Sequence, residues 1–257
     1  MLTPPEIARS LLAAGESKAR LPFGKMLLLA ILAGAYIALA GVGATAAAVT
    51  VESGSLAKLL SACVFPAGLS MVILAGSELF TGNCLMVMAL LERRITPAQL
   101  LRNWLTVYLG NAVGGAAVAA LAVYSHTASL FGDGLARSMV SIAESKAALG
   151  FGDAFLRGVL CNFLVCLAVW MAAASKRAEG KVIALFFPIL LFVLCGYEHC
   201  IANLYYLPAG AFAAAEYGVE TTLTLAGCLK NLAAVTLGNL VGGAALGVGY
   251  RFAYLKE

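Results

Sequence analysis

One frame occurs twice in this chain. Residues 101–117 read LRNWLTVYLGNAVGGAA and residues 229–245 read LKNLAAVTLGNLVGGAA, sharing L-[RK]-N-x-x-x-V-x-L-G-N-x-V-G-G-A-A. A seventeen-residue coincidence in sequence of this complexity is not chance, so one structural unit is used twice. Within the frame, Gly110 and Gly114, and again Gly238 and Gly242, set small residues four apart, the spacing that lets helix backbones approach in a bilayer.

The units are made for lipid. Charged residues are only 12% of the chain and apolar ones 62%, against about 25% charged in a soluble domain. Six apolar spans follow: Met26–Val51, Leu59–Leu91, Leu100–Tyr124, Phe155–Ala174, Val182–Ala215 and Thr224–Tyr250. A crossing helix needs about 20 residues. The second and fifth spans are far longer and are interrupted by Gly76-Ser77-Glu78-Leu79-Phe80-Thr81-Gly82-Asn83 and Gly196-Tyr197-Glu198-His199-Cys200-Ile201-Ala202-Asn203, both G-x-E-x-x-x-x-N. These read as broken helices. Three spans per unit is an odd number, so the second unit is inverted in the membrane. Paired breaks in two inverted halves point to a site at the midplane between them. The expected fold is therefore all-α and integral to the membrane: six transmembrane helices in two inverted three-helix repeats, at 26–124 and 153–250, forming a single domain.

Loop charges give the orientation. Twelve Lys and Arg (Arg9, Lys18, Arg20, Lys25, Arg93, Arg94, Arg102, Lys176, Arg177, Lys181, Arg251, Lys256) fall on the side of both termini, and five (Lys58, Arg137, Lys146, Arg157, Lys230) on the other. The positive-inside rule then puts both termini in the cytoplasm. The net charge of +4 is a topology signal and gives no reason to invoke nucleic acid. Thr3-Pro4-Pro5-Glu6 is a capping-box helix start rather than a signal peptide. Ile7, Leu11 and Ala14 share one face, opposed by Glu6, Arg9 and Lys18, which predicts an interfacial helix within residues 1–25. The seven cysteines contain no C-x-x-C pair, and only His126 and His199 could join them. No metal or other cofactor is expected.

Glu78 and Glu198 are equivalent, so each is expected to satisfy its break by accepting from orphaned N–H groups or from amides such as Asn83, Asn203 or Asn162, with a proton relay as the alternative role. His199 has no twin, because Leu79 stands at its place in the first unit. An ionisable group at membrane depth is a functional hypothesis by default, and Thr81 at the facing break is its natural hydroxyl partner. Two half-helix N-termini aimed at one region favour an anion over a cation.

These stretches, with Asn103-Trp104, Gly110-Asn111 and Asn162-Phe163-Leu164-Val165-Cys166-Leu167-Ala168-Val169-Trp170-Met171, resemble the formate/nitrite transporter family of small-anion channels from about Phe23 to Tyr250. The resemblance implies an aquaporin-like fold, a homopentamer with a pore in each subunit, and residence in a bacterial inner membrane. It also implies roles by position. Phe65 and Phe192 look like an outer apolar constriction, and Leu69, Leu79, Phe80 and Val165 like an inner one. His199 and Thr81 resemble the central pair. Lys146, Asn162, Glu198 and Asn203 resemble a polar set that holds and charges the outer entrance. The stretch Gly82-Asn83-Cys84 after Thr81 departs from the variants known in parts of the family and names no substrate.

The expected function is a channel for small monovalent anions of weak acids, and not an enzyme. Formate is the first candidate; nitrite or hydrosulfide in the same family are the alternatives. A bare anion in an apolar constriction is costly, and an acid of pKa near 4 is neutral in roughly one molecule per thousand at pH 7. Passage as the neutral acid answers this, with His199 supplying or stabilising the proton and Glu198 helping to keep the imidazole charged. Two rivals are a neutral-solute channel of aquaporin type, against which neither break holds Asn-Pro-Ala, and a membrane redox protein using Cys and His.

Overall fold

The computed structural model describes residues 1–255, all helical apart from turns and breaks. Lys256, one of the twelve charges assigned to the side of the termini, lies outside the described residues. The chain runs α1 (Pro4–Ala19), α2 (Phe23–Ala48), α3 (Gly54–Val64), α4 (Pro66–Ala75), α5 (Phe80–Asn83), a 3-10 turn, α6 (Val87–Leu91) and α7 (Pro97–Tyr124). It continues through α8 (Gly134–Ala148), α9 (Phe151–Ala173), α10 (Ala178–Leu194), α11 (Cys200–Tyr217) and α12 (Leu225–Tyr254). The six spans are α2, the α3–α6 series, α7, α9, the α10–α11 pair and α12. The second and fifth are the broken ones.

Two close helix pairs hold the bundle together, α2 along α7 and α9 along α12. The repeated frame explains the closeness. A Cβ on Gly114 would overlap the Ile31 carbonyl oxygen, and one on Gly242 would overlap that of Val159. Backbone meets backbone at these points, which no larger residue permits. The face of the frame turned outward carries Leu101, Leu105, Leu109 and Val113 in the first unit and Leu229, Leu237 and Val241 in the second, all exposed on the isolated chain. Apolar residues on the outside and Asn103, Asn111, Asn231 and Asn239 fully buried is the arrangement expected when the solvent is lipid.

Helix α1 forms with its capping box, and part of its surface is taken up by the rest of the chain. Ile7, Ala8, Gly15 and Ala19 are buried, α1 packs against α6, and Lys18 turns inward instead of joining the polar face. The last turn is pulled in because Glu78 needs a cation. The segment between the third and fourth spans contains helix α8. Leu135, Met139, Ala143 and Ala147 form its buried stripe at a spacing of four, and it packs on α11. The same sequence offset relates Lys18 to Lys146 and Asn103 to Asn231. By position, α8 is thus the counterpart of α1, and each repeat carries an amphipathic helix that the boundaries 26–124 and 153–250 leave out.

Candidate anion pathway

Each break starts at a glycine in the left-handed region, Gly76 at φ 78 and Gly196 at φ 68, where a side chain would be strained. The next residues are extended and expose backbone groups that a continuous helix would pair. The asparagine of the repeated Gly-Asn fills the gap. Asn111 Oδ1 accepts from Phe80 N–H (3.0 Å), while its Nδ2 donates to the Ala30 and Glu78 carbonyls (2.7 and 2.9 Å). Asn239 Oδ1 accepts from Cys200 N–H (2.9 Å), and its Nδ2 donates to the Gly158 and Glu198 carbonyls (2.8 and 2.9 Å). Glu78 N–H reaches the Leu29 carbonyl and Glu198 N–H that of Arg157, both at 3.3 Å.

The glutamates close a second layer. Lys146 Nζ donates to Glu198 Oε1 at 2.8 Å, Asn203 Nδ2 to Glu198 Oε2 at 2.7 Å, and Asn203 Nδ2 also to Asn231 Oδ1 at 2.8 Å. The first repeat has the same set: Lys18 to Glu78 at 2.7 Å, Asn83 to Glu78 at 2.7 Å and Asn83 to Asn103 at 2.9 Å. The sets differ in two bonds. Lys18 also donates to Asn83 Oδ1 at 2.9 Å, whereas Asn203 Oδ1 is buried with no partner among the described residues; and Asn231 Nδ2 donates to the Lys146 carbonyl where Asn103 Nδ2 meets Met26 Sδ. Of the entrance set expected from the sequence, Lys146, Glu198 and Asn203 are joined. Asn162 is not among them: its Nδ2 donates to the Thr81 carbonyl at 3.2 Å and the Asn239 carbonyl at 2.7 Å. It belongs to the centre, because α9 carries it past the first break.

At that centre Thr81 Oγ1 and His199 Nε2 are 2.9 Å apart. His199 is also the N-cap of α11, its Nδ1 accepting from Ala202 N–H at 3.1 Å. An accepting Nδ1 has no proton, so Nε2 carries it and donates to Thr81. The imidazole is therefore a neutral ring with a fixed tautomer. Glu198 makes its hydrogen bonds to Lys146 and Asn203 rather than to the imidazole. Extended backbone sends successive side chains to opposite faces, which separates Glu198 from its sequence neighbour.

A cavity lies at each break. One, about 530 Å³, is lined by Phe65, Phe192, Lys146, Glu198 and His199, and also by Lys58 and Arg157. The other, about 320 Å³, is lined by Lys18, Glu78, Asn83, Leu69, Val72 and Leu79. Phe65 and Phe192 meet edge to face, 5.7 Å between centroids, and Phe192 stacks on His199 at 5.8 Å. Phe80 and Val165 line neither cavity; they lie with Leu69 and Leu79 in the apolar core between them, Phe80 set edge-on to Tyr108 at 5.1 Å. Among the described residues no group of three His, Cys, Asp or Glu could hold a metal ion, and all seven cysteines are free thiols.

A family profile described as Formate/nitrite transporter matches residues 5–253. The chain belongs to the formate/nitrite transporter family. Its relatives include a protein named probable formate transporter from Methanothermobacter thermautotrophicus, 38% identical with 99% of this chain and 98% of that protein covered. Formate channel FocA from Haemophilus influenzae is 40% identical over 86% of this chain and 84% of its own. A solved structure titled FNT family ion channel superposes with a TM-score of 0.86 at 32% identity, covering 96% of this chain and 98% of that one. Another, titled pentameric formate channel with formate bound, gives a TM-score of 0.80 at 33% identity, with 91% and 98% covered. The chain is thus a multi-pass membrane protein of a transporter family.

The residues that sequence reading missed are Lys18, Asn103, Asn111, Asn231 and Asn239 at the breaks and Lys58 and Arg157 in the larger cavity. The asparagines were within reach, as the polar positions of an otherwise apolar repeated frame. Lys18 had only its equal offset from Lys146 to reveal it.

Proposed function

We propose that this protein is a channel for small monovalent anions of weak acids, with formate the first substrate and nitrite or hydrosulfide the alternatives, and that it is not an enzyme. The observation that carries this reading is a pair of cavities, each lined by a lysine–glutamate pair, with apolar side chains and the hydrogen-bonded Thr81 and His199 at the breaks beside them. Relatives named as formate channels point to the same substrate.

Water cannot follow an ion between Phe65 and Phe192, so the charged form is penalised there. Desolvation raises the pKa of a carboxylic acid, so a formate held near Lys146 takes its proton from cavity water as it moves inward. The neutral ring of His199 is no acid of useful strength. What it offers is an Nε2–H, shared with the Thr81 hydroxyl, that can be lent to the oxygens of the passing molecule. The central histidine therefore stabilises the acid in transit. Phe65 and Phe192 form one apolar gate of this path; Leu69, Leu79, Phe80 and Val165 form the other. We further place the protein in the cell membrane as a homopentamer, in keeping with the pentameric neighbour, with both termini cytoplasmic by the charge bias.

The test is flux through purified protein in liposomes, for formate, nitrite and chloride across a pH series. Formate flux should rise as pH falls and chloride should not pass. His199→Phe and His199→Asn should lower formate flux by at least tenfold. Equal chloride and formate fluxes, or unchanged flux and pH dependence in both variants, would sink this reading.

A further inference from the structure

The two cavities are related by the internal repeat, but their charges are not. In each, a lysine and a glutamate pair with one another: Lys146 with Glu198, Lys18 with Glu78. On the Lys18 side those two are the only charged residues in the lining. On the Lys146 side Lys58 and Arg157 line the cavity as well, with Glu198 its only carboxylate. Among the described residues neither Lys58 nor Arg157 makes an ion pair. Their counterparts carry no charge. The Leu29 carbonyl receives Glu78 N–H as the Arg157 carbonyl receives Glu198 N–H, so Leu29 stands for Arg157. Ala178 precedes Gly196 by the same count that Lys58 precedes Gly76. The larger cavity therefore holds two positive charges in excess, and the smaller one none.

A cleft lined by one sign of charge with low-dielectric walls concentrates the opposite ion, by about 10 to 10³-fold. We propose that Lys58 and Arg157 form an anion-holding collar that makes saturation of the channel one-sided. This rests on the anion-channel reading above and assigns the two residues a role in it. Detailed balance limits the form the effect takes. In a passive channel, equal low concentrations on either side must carry equal flux in the two directions, whatever the vestibules hold. The collar instead raises occupancy of the Lys146-side cavity. Transport from that side saturates at lower concentration and reaches a lower plateau, while transport from the Lys18 side is set by the neutral mouth. The collar selects charge and has no shape preference, so small dianions should lodge there and compete from that side only.

Right-side-out and inside-out vesicles from cells expressing the full chain separate the two mouths. The probe is labelled formate, with ionic strength set by sodium gluconate. For the wild type the half-saturating formate concentration should be about tenfold lower from the Lys146 side at low ionic strength. The difference should shrink above about 0.15 M, where the Debye length falls to about 8 Å. In K58Q/R157Q the half-saturating concentration and plateau from that side should rise together and lose their salt dependence, with the other side unchanged. K58R/R157K should restore the wild-type values, and sulfate should compete from the Lys146 side of wild type only. Both residues are exposed, so size exclusion of the variants should match wild type. Wild-type flux that is symmetric or unsaturable, or a double variant with unchanged half-saturation, overturns the collar. No formate flux in any wild-type vesicle overturns the channel reading instead, and the collar with it.

Discussion

Asn239→Ala should destabilise this protein more than any other single amide deletion outside the first-repeat equivalent, Asn111→Ala. The side chain is fully buried and serves three backbone groups. Gly158 lies inside α9, so its carbonyl keeps its own helix bond. Cys200 N–H and the Glu198 carbonyl are left without partners in a region that lipid surrounds. Each orphaned group costs about 1–3 kcal/mol, so the loss is about 2–6 kcal/mol, with about 4 as the central value. At about 2–4 °C per kcal/mol for chains of this size, the melting temperature should fall by about 10 °C. The assay is residual folded oligomer on size exclusion after stepwise heating in detergent. A shift under about 2 °C would mean that the break holds itself open without the amide, and that Gly-Asn recurs in the two repeats for some other reason. Asn111→Ala should lose a similar amount, since its three bonds are the same in kind and within about 0.2 Å in length.

Lys146→Met should cost about 3–5 kcal/mol, the penalty for stranding a buried partner charge, and Glu198→Gln in the same background should recover part of it; thermal melts read both. Thr81→Val removes the acceptor of the His199 Nε2–H and should cut formate flux at least tenfold in the liposome assay, with stability in the melt lowered by about 1–3 kcal/mol, the cost of one orphaned buried donor. Gly114→Ala and Gly242→Ala force backbone apart between α2 and α7 or α9 and α12, and each should cost at least about 1–3 kcal/mol, seen as loss of folded yield. Glu144 holds the segment after α11, accepting from Thr222 N–H and from the hydroxyls of Thr221 and Thr222. The Thr222 N–H, foremost, keeps its carboxyl below the ordinary value of 4.5. A depressed carboxylate contributes stability above its unfolded pKa and loses it as pH falls through the folded one. Protection from hydrogen exchange at 218–224, taken relative to the intrinsic rate at each pH, should therefore fall below about pH 4.5 in wild type and already be low at pH 7 in Glu144→Gln.

The inverted repeat, the two breaks and the pairing of Thr81 with His199 were legible because each rests on a pattern repeated in sequence or on a polar residue with no apolar excuse. The rest was hidden for separate reasons. Helix α8 is short and serine-rich on its open face, so hydropathy alone gives it no weight, although Leu135, Met139, Ala143 and Ala147 carry the period. Lys18 looked like one more polar residue on a surface helix, because its partner lies across a turn of structure that only folding brings near. Asn162 was drawn to the wrong end because adjacency in a family motif says nothing about which backbone carbonyl an amide meets. Glu198 and His199 are neighbours in sequence, but their hydrogen-bond partners differ: Glu198 meets Lys146 and Asn203, His199 meets Thr81 and the Ala202 N–H.

The N-cap bond of His199 has a consequence for the cell's energy supply. A water-filled path with a histidine in it ordinarily threatens to leak protons, because an imidazole can take one on its free nitrogen and release another from the opposite side, then flip. In this protein the Nδ1 lone pair is committed to Ala202 N–H, and Nε2 already bears its hydrogen. The ring cannot hand a proton across without breaking the first turn of α11, worth about 0.5–2 kcal/mol as a cap and more as an orphaned N–H in the membrane. On the channel reading proposed above, a proton then crosses only as part of a neutral molecule, and the proton-motive force is spared whenever no such molecule is passing.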